Sequence, residues 1–568
     1  MKYPKTFIAA TEEYCVIENH IPAPLIRKNF AVNGGGAEAT VLICGLGFYE
    51  LRINGIRVSK LLAPYISAPD DVIYYDLYDI TEHLRLGENV IGIILGNGMQ
   101  NAFGGTTWAF DKAHWRGAPK VALRLDISYI DGGAYALESD QSFKASPSPI
   151  CFDELRCGEY YDARLELHGW DLPGFNDSDW QNVLIAPTPR GEPRLCAADP
   201  IIVACELRPV TVERQEDGWL YDFGENCAGV CRLRINGSKG QKIIMTHGEL
   251  LVNGKLDVTH ISFFPKGYFQ KDIYICKGGG VEEYTPKFTY HGFQYVFIEG
   301  VTEEQATNGL LTYLVMHSDL KERGGFSCSD EVANTLQALT RRSTLANFFY
   351  FPTDCPQREK NGWTGDAAVS AEHTLLNLEA EVSYIEWLRN IRKAQKEDGQ
   401  LPGVVPTGGW GYEWGNGPAW DCVLTYLPYY TYVYRGNRNI LKENGTAIFR
   451  YLHYISGLTR QKDGLVEAGL GDWCPPGRRV DDYKAPLIVT DSIISMDICR
   501  KAEFIFKTLS WDPEMDFAHR LYESLRLCIR ENLIDFDMMV AMGNCQTSQA
   551  MALYHGVFDD AEKPTAFK

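Results

Sequence analysis

The chain is organised around Asp354-Cys355-Pro356-Gln357-Arg358-Glu359-Lys360-Asn361-Gly362-Trp363-Thr364-Gly365-Asp366. This stretch follows an apolar run, residues 348–352, and precedes a helical pattern that begins near Asp366. Proline lacks an amide donor and glycine loses much backbone entropy in a helix, so we predict a loop between two helices. The loop carries three carboxylates and one tryptophan close together.

These residue types suit the cleavage of an acetal. Such a reaction needs one protonated carboxyl as acid and one ionised carboxyl as base or nucleophile. Neighbouring carboxylates push their pKa values apart, so that one of them can keep a proton near neutral pH. Trp363 would offer a flat apolar face to a sugar ring, and Arg358 could orient a carboxylate or a hydroxyl. The alternative is a solvated loop whose acids cap the next helix, with Asp366 as the N-cap.

The same stretch resembles the signature of bacterial alpha-L-rhamnosidases of glycoside hydrolase family 78. The resemblance implies an inverting glycosidase whose catalytic domain is an (α/α)6 toroid. It also implies that Glu359 is the general acid and that Asp354 and Asp366 hold rhamnose hydroxyls. Trp363 would pack on the sugar, with Arg358 beside the acid.

Composition limits the classes of partner. The chain has 568 residues, too many for one core, so we expect two to four domains. Its net charge of -19 would repel phosphates, which argues against nucleic acid and anionic membranes. A neutral carbohydrate substrate fits this charge.

The sequence also predicts a compartment and a lack of cofactors. No signal peptide precedes the first acidic residues, and no apolar run reaches the length of a membrane span. The sixteen cysteines are scattered, which is typical of reduced thiols in the cytoplasm. Cys227 and Cys231 are spaced like a metal pair, but a place on a strand suits them better, and we expect no metal and no cofactor.

The first two regions read as β-sandwiches. Residues 1–195 contain short alternating runs and a hairpin turn at Asn54-Gly55, which predicts an N-terminal β-sandwich. The family resemblance implies that it is of the rhamnosidase N-terminal, carbohydrate-binding-like type. Its tryptophans bind sugar, or they fill the core or pack against the catalytic domain, and the candidates are Trp108, Trp115 and Trp170. Residues 196–322 predict a second sandwich. Residues 289–296 resemble the family's TYHGFRYV segment, where we expect His291 to make a structural hydrogen bond or a domain contact.

From about residue 323 the apolar period changes to 3.6, which predicts the toroid over residues 323–568. The predicted helices are 329–347, opened by Ser329 as N-cap, 366–378, 380–397, 418–435, 438–460, 487–508, 512–531 and 545–556. The loops between them are rich in tryptophan. By resemblance Trp420 and Trp473 form pocket walls, with Asp421 and Asp472 as weaker candidates, and ordinary packing is the alternative.

We expect this toroid to be incomplete, because about eight helices are found where twelve are needed. In the family the general base is a glutamate in an Ile-Trp-Glu-like motif further downstream, and the chain has no counterpart to it. The interpretation we favour is a fragment of a longer gene, and the alternatives are a second chain that completes the ring or an inactive product.

The resemblance therefore predicts an inverting alpha-L-rhamnosidase that releases terminal rhamnose. A non-catalytic carbohydrate-binding protein and a toroid glycosidase of other specificity are the alternatives, since one fold hosts several chemistries. A homo-oligomer is compatible with the sequence.

Overall fold

The computed structural model describes residues 2–16, 19–34, 38–103, 108–260, 267–477 and 482–568. It divides into two compact units, which we describe separately. The first unit comprises Met1–Asp319 and Asp330–Lys360, and the second comprises Leu320–Ser329 and Asn361–Lys568.

Two sheets in the first unit share one apolar core. One has seven strands: Phe7–Ala9, Glu38–Leu46, Val72–Asp79, Lys120–Ser128, Ala134–Glu138, Leu184–Ala186 and Glu192–Leu195. The other has six: Pro24–Val32, Phe48–Ile53, Ile56–Arg57, Gly87–Gly96, Lys144–Pro147 and Gln181–Asn182. Val41 and Leu123 from the first sheet and Ile26 and Ile93 from the second lie in the same buried cluster. Apolar side chains on alternate positions of both sheets therefore build a sandwich.

A third sheet of ten strands follows in the same unit. Its strands are Ile150–Glu154, Gly158–Asp162, Ile201–Leu207, Thr211–Arg214, Trp219–Asn236, Lys242–Gly248, Lys271–Ile275, Val281–Tyr284, His291–Glu299 and Leu311–Ser318. The register between Trp219–Asn236 and His291–Glu299 shifts between Asp222 and Cys227, which marks a bulge. Cys227 and Cys231 both lie on this long strand, as the sequence predicts.

Shorter elements complete the first unit. They are the hairpins Leu250–Val252 with Lys255–Asp257 and Phe348–Phe349 with Phe351–Pro352, and the 3-10 helices Thr81–His83, Phe110–Lys112 and Ala163–Leu165. Helix α1, Glu331–Ala346, lies against the strands Trp219–Asn236 and Leu311–Ser318. It buries none of its residues fully and exposes Val332, Leu336 and Leu339.

The second unit is helical. Its helices are α2 Thr364–Asn377, α3 Glu381–Ala394, α4 Pro418–Asp421, α5 Val423–Arg435, α6 Arg438–Thr459, α7 Leu487–Leu509, α8 Asp512–Leu533, α9 Gln546–Tyr554 and α10 Lys563–Ala566. One hairpin, Ile534–Asp535 with Val540–Ala541, joins α8 to α9. Within the described parts of the chain, no helix is both long and apolar enough to cross a bilayer.

Each of the eight predicted helices has a counterpart, with α4 and α5 sharing one prediction. The predicted cap of α1 is wrong. Asp330, not Ser329, is the N-cap, because its carboxylate accepts the amides of Val332 and Ala333 at 2.8 and 3.2 Å. Helix α2 begins at Thr364, so Asp366 lies in its first turn and is not its cap.

The cap of α1 gives a direct stability test. We expect Asp330→Ala to lower the free energy of unfolding by about 1 kcal/mol, because two amides lose their acceptor. Asp330→Asn keeps an acceptor and should lose less, and Ser329→Ala should change little. Urea unfolding followed by circular dichroism measures all three, and a larger loss from Ser329→Ala than from Asp330→Ala would contradict this assignment.

Candidate active site

The segment Asp354–Lys360, which we call the acid segment, belongs to the first unit. It brings three predicted site residues together, Asp354, Arg358 and Glu359. Oxygen or sulfur atoms of Asp354, Cys355 and Glu359 all lie within 4.8 Å of one another. Glu359 is buried, whereas Asp354 and Arg358 are partly exposed.

Cys355 connects the two carboxylates. Its thiol donates to Asp354 Oδ2 at 2.9 Å, and its sulfur accepts the backbone amide of Glu359 at 3.3 Å. Burial, aided by the charges of Asp354 and Glu359, raises the pKa of this thiol well above its ordinary value, so it remains a donor at neutral pH. The spacing of Asp354 and Glu359 thus depends on a residue to which the sequence analysis gave no role.

Arg358 contacts the carboxyl group of Glu359. Its Nη2 donates to Glu359 Oε1 at 3.0 Å. Burial works against the guanidinium charge, but the neighbouring Cys355, Glu359 and Asp354 outweigh it and raise the Arg358 pKa. Arg358 therefore stays charged beside the Glu359 carboxyl group, and its role in orienting that group stays a prediction.

The other predicted site residues lie in the second unit, where tryptophans form a cluster. The ring centre of Trp363 lies 6.3 Å from those of Trp410 and Trp414, and the Trp414 ring lies 5.1 Å from that of Trp473. The contacts are edge-to-face, the arrangement that aromatic quadrupoles favour. Trp414 remains 43% exposed, so the cluster presents an indole surface to solvent.

A glycine next to Trp414, Gly415, allows Trp363 to approach the loop that carries Trp410 and Trp414 closely. A Cβ atom at Gly415 would lie 2.6 Å from the Trp363 ring, and the φ of Gly415 is +79°. Backbone hydrogen bonds also anchor the residues on either side of Trp363. Gly362 O accepts the Val405 amide and Gly403 O accepts the Thr364 amide, both at 2.9 Å. The Gly-rich, Trp-rich loop is therefore built to carry this cluster.

Trp420 and Asp366 lie near the start of α2. A Cβ atom at Gly365 would come within 2.5 Å of the Trp420 ring, so that ring covers the first turn, while the Asp366 side chain is exposed. Trp420 Nε1 is buried and has no hydrogen-bond partner among the described residues.

The weaker aspartate candidates have structural partners. Asp421 is fully buried and accepts the Tyr451 hydroxyl at 3.0 Å, and burial raises its pKa well above the ordinary value. Asp472 Oδ2 accepts the Thr547 hydroxyl at 3.1 Å.

Two groups in the described part of the chain bring metal-binding side chains together. One is Asp354, Cys355 and Glu359, and the other is His247, Asp272 and His291. The first contains a protonated thiol that already donates a hydrogen bond. In the second, His291 Nε2 lies 2.9 Å from Asp272 Oδ2, a hydrogen-bond distance, which agrees with the structural role predicted for His291. Both groups fit hydrogen bonding, and the lack of a metal requirement stays a prediction.

The three N-terminal tryptophans differ in burial. Trp108 and Trp115 are 2% and 7% exposed and belong to the core. Trp170 is half-buried and stacks on Trp180 with ring centres 6.4 Å apart.

Three family profiles match successive parts of the chain. Residues 36–204 match the alpha-L-rhamnosidase N-terminal domain, and residues 212–317 match the bacterial alpha-L-rhamnosidase concanavalin-like domain. Residues 321–568 match the bacterial alpha-L-rhamnosidase 6 hairpin glycosidase domain. The chain belongs to the bacterial alpha-L-rhamnosidase family. The predicted fold class, sheet-rich domains followed by a six-hairpin glycosidase domain, is confirmed.

Relatives in the family extend the comparison. An alpha-L-rhamnosidase of Formosa agariphila is 34% identical over 80% of this chain and 49% of its own length. One of Streptomyces avermitilis is 32% identical over 77% of this chain and 42% of its own length. The chain thus spans about half the length of these curated relatives.

Solved structures of the family agree closely. The alpha-L-rhamnosidase of Dictyoglumus thermophilum has a TM-score of 0.90 at 30% identity, over 99% of this chain and 63% of that one. The Streptomyces avermitilis alpha-L-rhamnosidase complexed with L-rhamnose has a TM-score of 0.88 at 27% identity, over 96% of this chain and 52% of that one.

The residue after Glu359 gives a pH test. Lys360 is fully buried, and its pKa falls to about 7; desolvation is the main cause, Arg156 adds to it, and Glu154 partly opposes it. The unfolded chain keeps this proton up to about pH 10, so between pH 7 and 9 it binds more protons than the folded chain. The free energy of unfolding should therefore rise with pH, by up to about 2 kcal/mol from this group.

Lys360→Met removes the titrating group and should remove this rise. Thermal unfolding of both proteins from pH 6 to pH 9 measures the difference. Parallel pH profiles for the two would contradict a lowered Lys360 pKa.

Proposed function

We propose that the protein hydrolyses terminal α-L-rhamnosides with inversion, with Glu359 as the general acid. The observation that carries the proposal is the acid segment: a buried carboxyl group, contacted by Arg358 at 3.0 Å, with Asp354 and Cys355 beside it. Membership of the alpha-L-rhamnosidase family and likeness to a rhamnosidase complexed with L-rhamnose support this substrate.

Glu359 would protonate the glycosidic oxygen as the bond to the anomeric carbon breaks. An inverting enzyme needs a second carboxylate that takes a proton from water on the opposite face of the sugar. The family resemblance implies that this base is a glutamate in an Ile-Trp-Glu-like motif. Removing one such acid or base group slows hydrolysis by about 10²–10⁴-fold.

The remaining site residues would hold the sugar. Asp354 and Asp366 offer carboxylate oxygens to hydroxyls, and Trp363 and Trp473 offer indole faces to the apolar C–H groups of the ring. Trp420 adds a buried indole N–H as a donor. These roles need no metal and no cofactor.

Four further predictions concern the compartment, the partners, the oligomeric state and the domain boundaries of the protein. We place it in the cytoplasm, which Cys205 and Cys474 support because both are exposed free thiols. The net charge of -19 disfavours nucleic acid and anionic membranes as partners. A homo-oligomer and the domain boundaries at residues 195 and 322 also remain predictions.

Leaving groups test the role of Glu359. We expect Glu359→Gln to lower kcat on alkyl rhamnosides by about 10²–10⁴-fold, because a poor leaving group needs the proton. The phenolate of a 2,4-dinitrophenyl rhamnoside leaves without protonation, so the kcat on this substrate should fall far less. Release of rhamnose by the protein in its natural length measures both.

Glu303→Gln is the matched control, since Glu303 is an exposed acid of the same unit and should leave both rates unchanged. Equal losses on both substrates would refute the acid role. Sugar binding without turnover in the unmodified protein would favour the non-catalytic carbohydrate-binding alternative, and turnover of other aryl glycosides alone would favour a different specificity.

The tryptophan cluster predicts an effect on binding. We expect Trp473→Ala to raise KM about fivefold with kcat nearly unchanged, because a stacking contact of about 1 kcal/mol is lost before and during reaction. Trp180→Ala, which removes a half-buried tryptophan of the first unit, is the control. A fall in kcat with no rise in KM would contradict a binding role.

A further inference from the structure

The backbone around Glu359 is held by a buried lysine side chain. Lys360 is 1% exposed, and its Nζ donates to the carbonyl of Leu155 at 2.6 Å and to that of Tyr290. The same nitrogen lies 4.6 Å from the centre of the Tyr290 ring. Lys360 itself has a φ of +56°, an unusual conformation for a residue with a side chain. These contacts hold the chain directly after the turn of residues 356–359, which ends at Glu359.

A second buried cation holds Glu359 itself. Arg156 is 1% exposed, and its Nε donates to the backbone carbonyl of Glu359 at 2.7 Å. The guanidinium carbon lies 4.9 Å from the centre of the Phe110 ring. Packing against Phe110 therefore holds the Arg156 guanidinium in place, and this group in turn holds the Glu359 carbonyl.

A glycine lets the acid segment approach the sheet. A Cβ atom at Gly292, on the strand His291–Glu299, would lie 2.6 Å from Pro356 Cγ and 2.8 Å from Gln357 N. No larger residue fits there unless the acid segment moves. The position of the acid segment thus depends on three residues: the small Gly292, which leaves room for it, and Arg156 and Lys360, which bind backbone carbonyls.

We infer that Arg156 and Lys360 are positioning residues for the general acid. Together with the ten-stranded sheet of the first unit, they determine the orientation of the Glu359 carboxyl group. This inference rests on the proposed function. Both hold the chain through backbone carbonyls. Either protonation state of Lys360 keeps enough N–H groups for its two acceptors.

The consequence is a selective loss of acid catalysis. A displacement of about 1 Å at a reacting group can cost about 10²-fold in rate. Loss of either cation should therefore lower kcat where protonation of the leaving group matters. Binding should change less than kcat, because the proposed sugar-stacking tryptophans belong to the helical unit, and of the proposed sugar-holding residues Asp354 moves with the acid segment.

The experiment compares alkyl and 2,4-dinitrophenyl rhamnosides on Lys360→Met, Arg156→Met and Glu359→Gln in the protein of natural length. We expect the first two to lower kcat on the alkyl substrate about 10–100-fold, with KM within about twofold and the dinitrophenyl rate nearly retained. Arg156→Lys keeps a charged donor and should recover part of the loss.

Arg27→Met is the matched control. Arg27 is also 1% exposed and donates to the backbone carbonyl of Trp170 at 2.9 Å, away from the acid segment. It should lower thermal stability without changing the ratio of the two rates. Gly292→Ala moves the acid segment without removing a buried charge, so it serves if the methionine variants do not fold.

The outcomes separate the two claims. If Glu359→Gln lacks the leaving-group effect, the proposed function fails. If Glu359→Gln shows it but folded Lys360→Met, Arg156→Met and Gly292→Ala lose both rates equally, or neither, the positioning role is refuted. A selective loss in these variants, absent in Arg27→Met, supports it.

Discussion

A cation is stable inside a protein only where oxygen atoms replace its lost water, and this constraint shapes the surroundings of Glu359. Arg156 obtains oxygens from the Glu359 carbonyl and from the Glu154 carboxylate, 3.7 Å away, and Lys360 donates to the carbonyls of Leu155 and Tyr290. Moving the acid segment would break the bond of Arg156 to Glu359 and the two bonds of Lys360, and a buried donor that loses its acceptor costs about 1–3 kcal/mol. The desolvation penalty therefore becomes a source of precision at the reacting group.

Around this anchor the acid segment also forms hydrogen bonds within itself. The thiol of Cys355 donates to the Asp354 carboxylate, and its sulfur accepts the backbone amide of Glu359. Arg358 donates to the carboxyl group of Glu359. A carboxyl group held by its neighbours loses little freedom when a substrate binds, so more of the binding energy remains for the reaction. In the helical unit the glycines at 365 and 415 leave room for indole rings to lie directly on the backbone.

The family gives these features a common purpose. Its profiles follow the order of sheets and helices along the chain, and solved rhamnosidases superpose on nearly all of it. The chain covers about half of the curated relatives' length, so the activity of the whole protein remains our proposal. Within that proposal the sheet domain contributes to catalysis by holding the acid.

The sequence by itself determined the helices and the acid segment, because a 3.6-residue apolar period and a run of rare residue types are local signals. It misplaced the cap of α1, since Ser329 and Asp330 are both good caps and only the backbone geometry chooses between them. It gave no sign of Arg156, which is 203 positions from the carbonyl it holds, and it did not separate buried Trp108 from the half-buried Trp170. Such contacts depend on which distant strands and turns meet, and that meeting is set by packing of the whole core, so only the tertiary structure decided them.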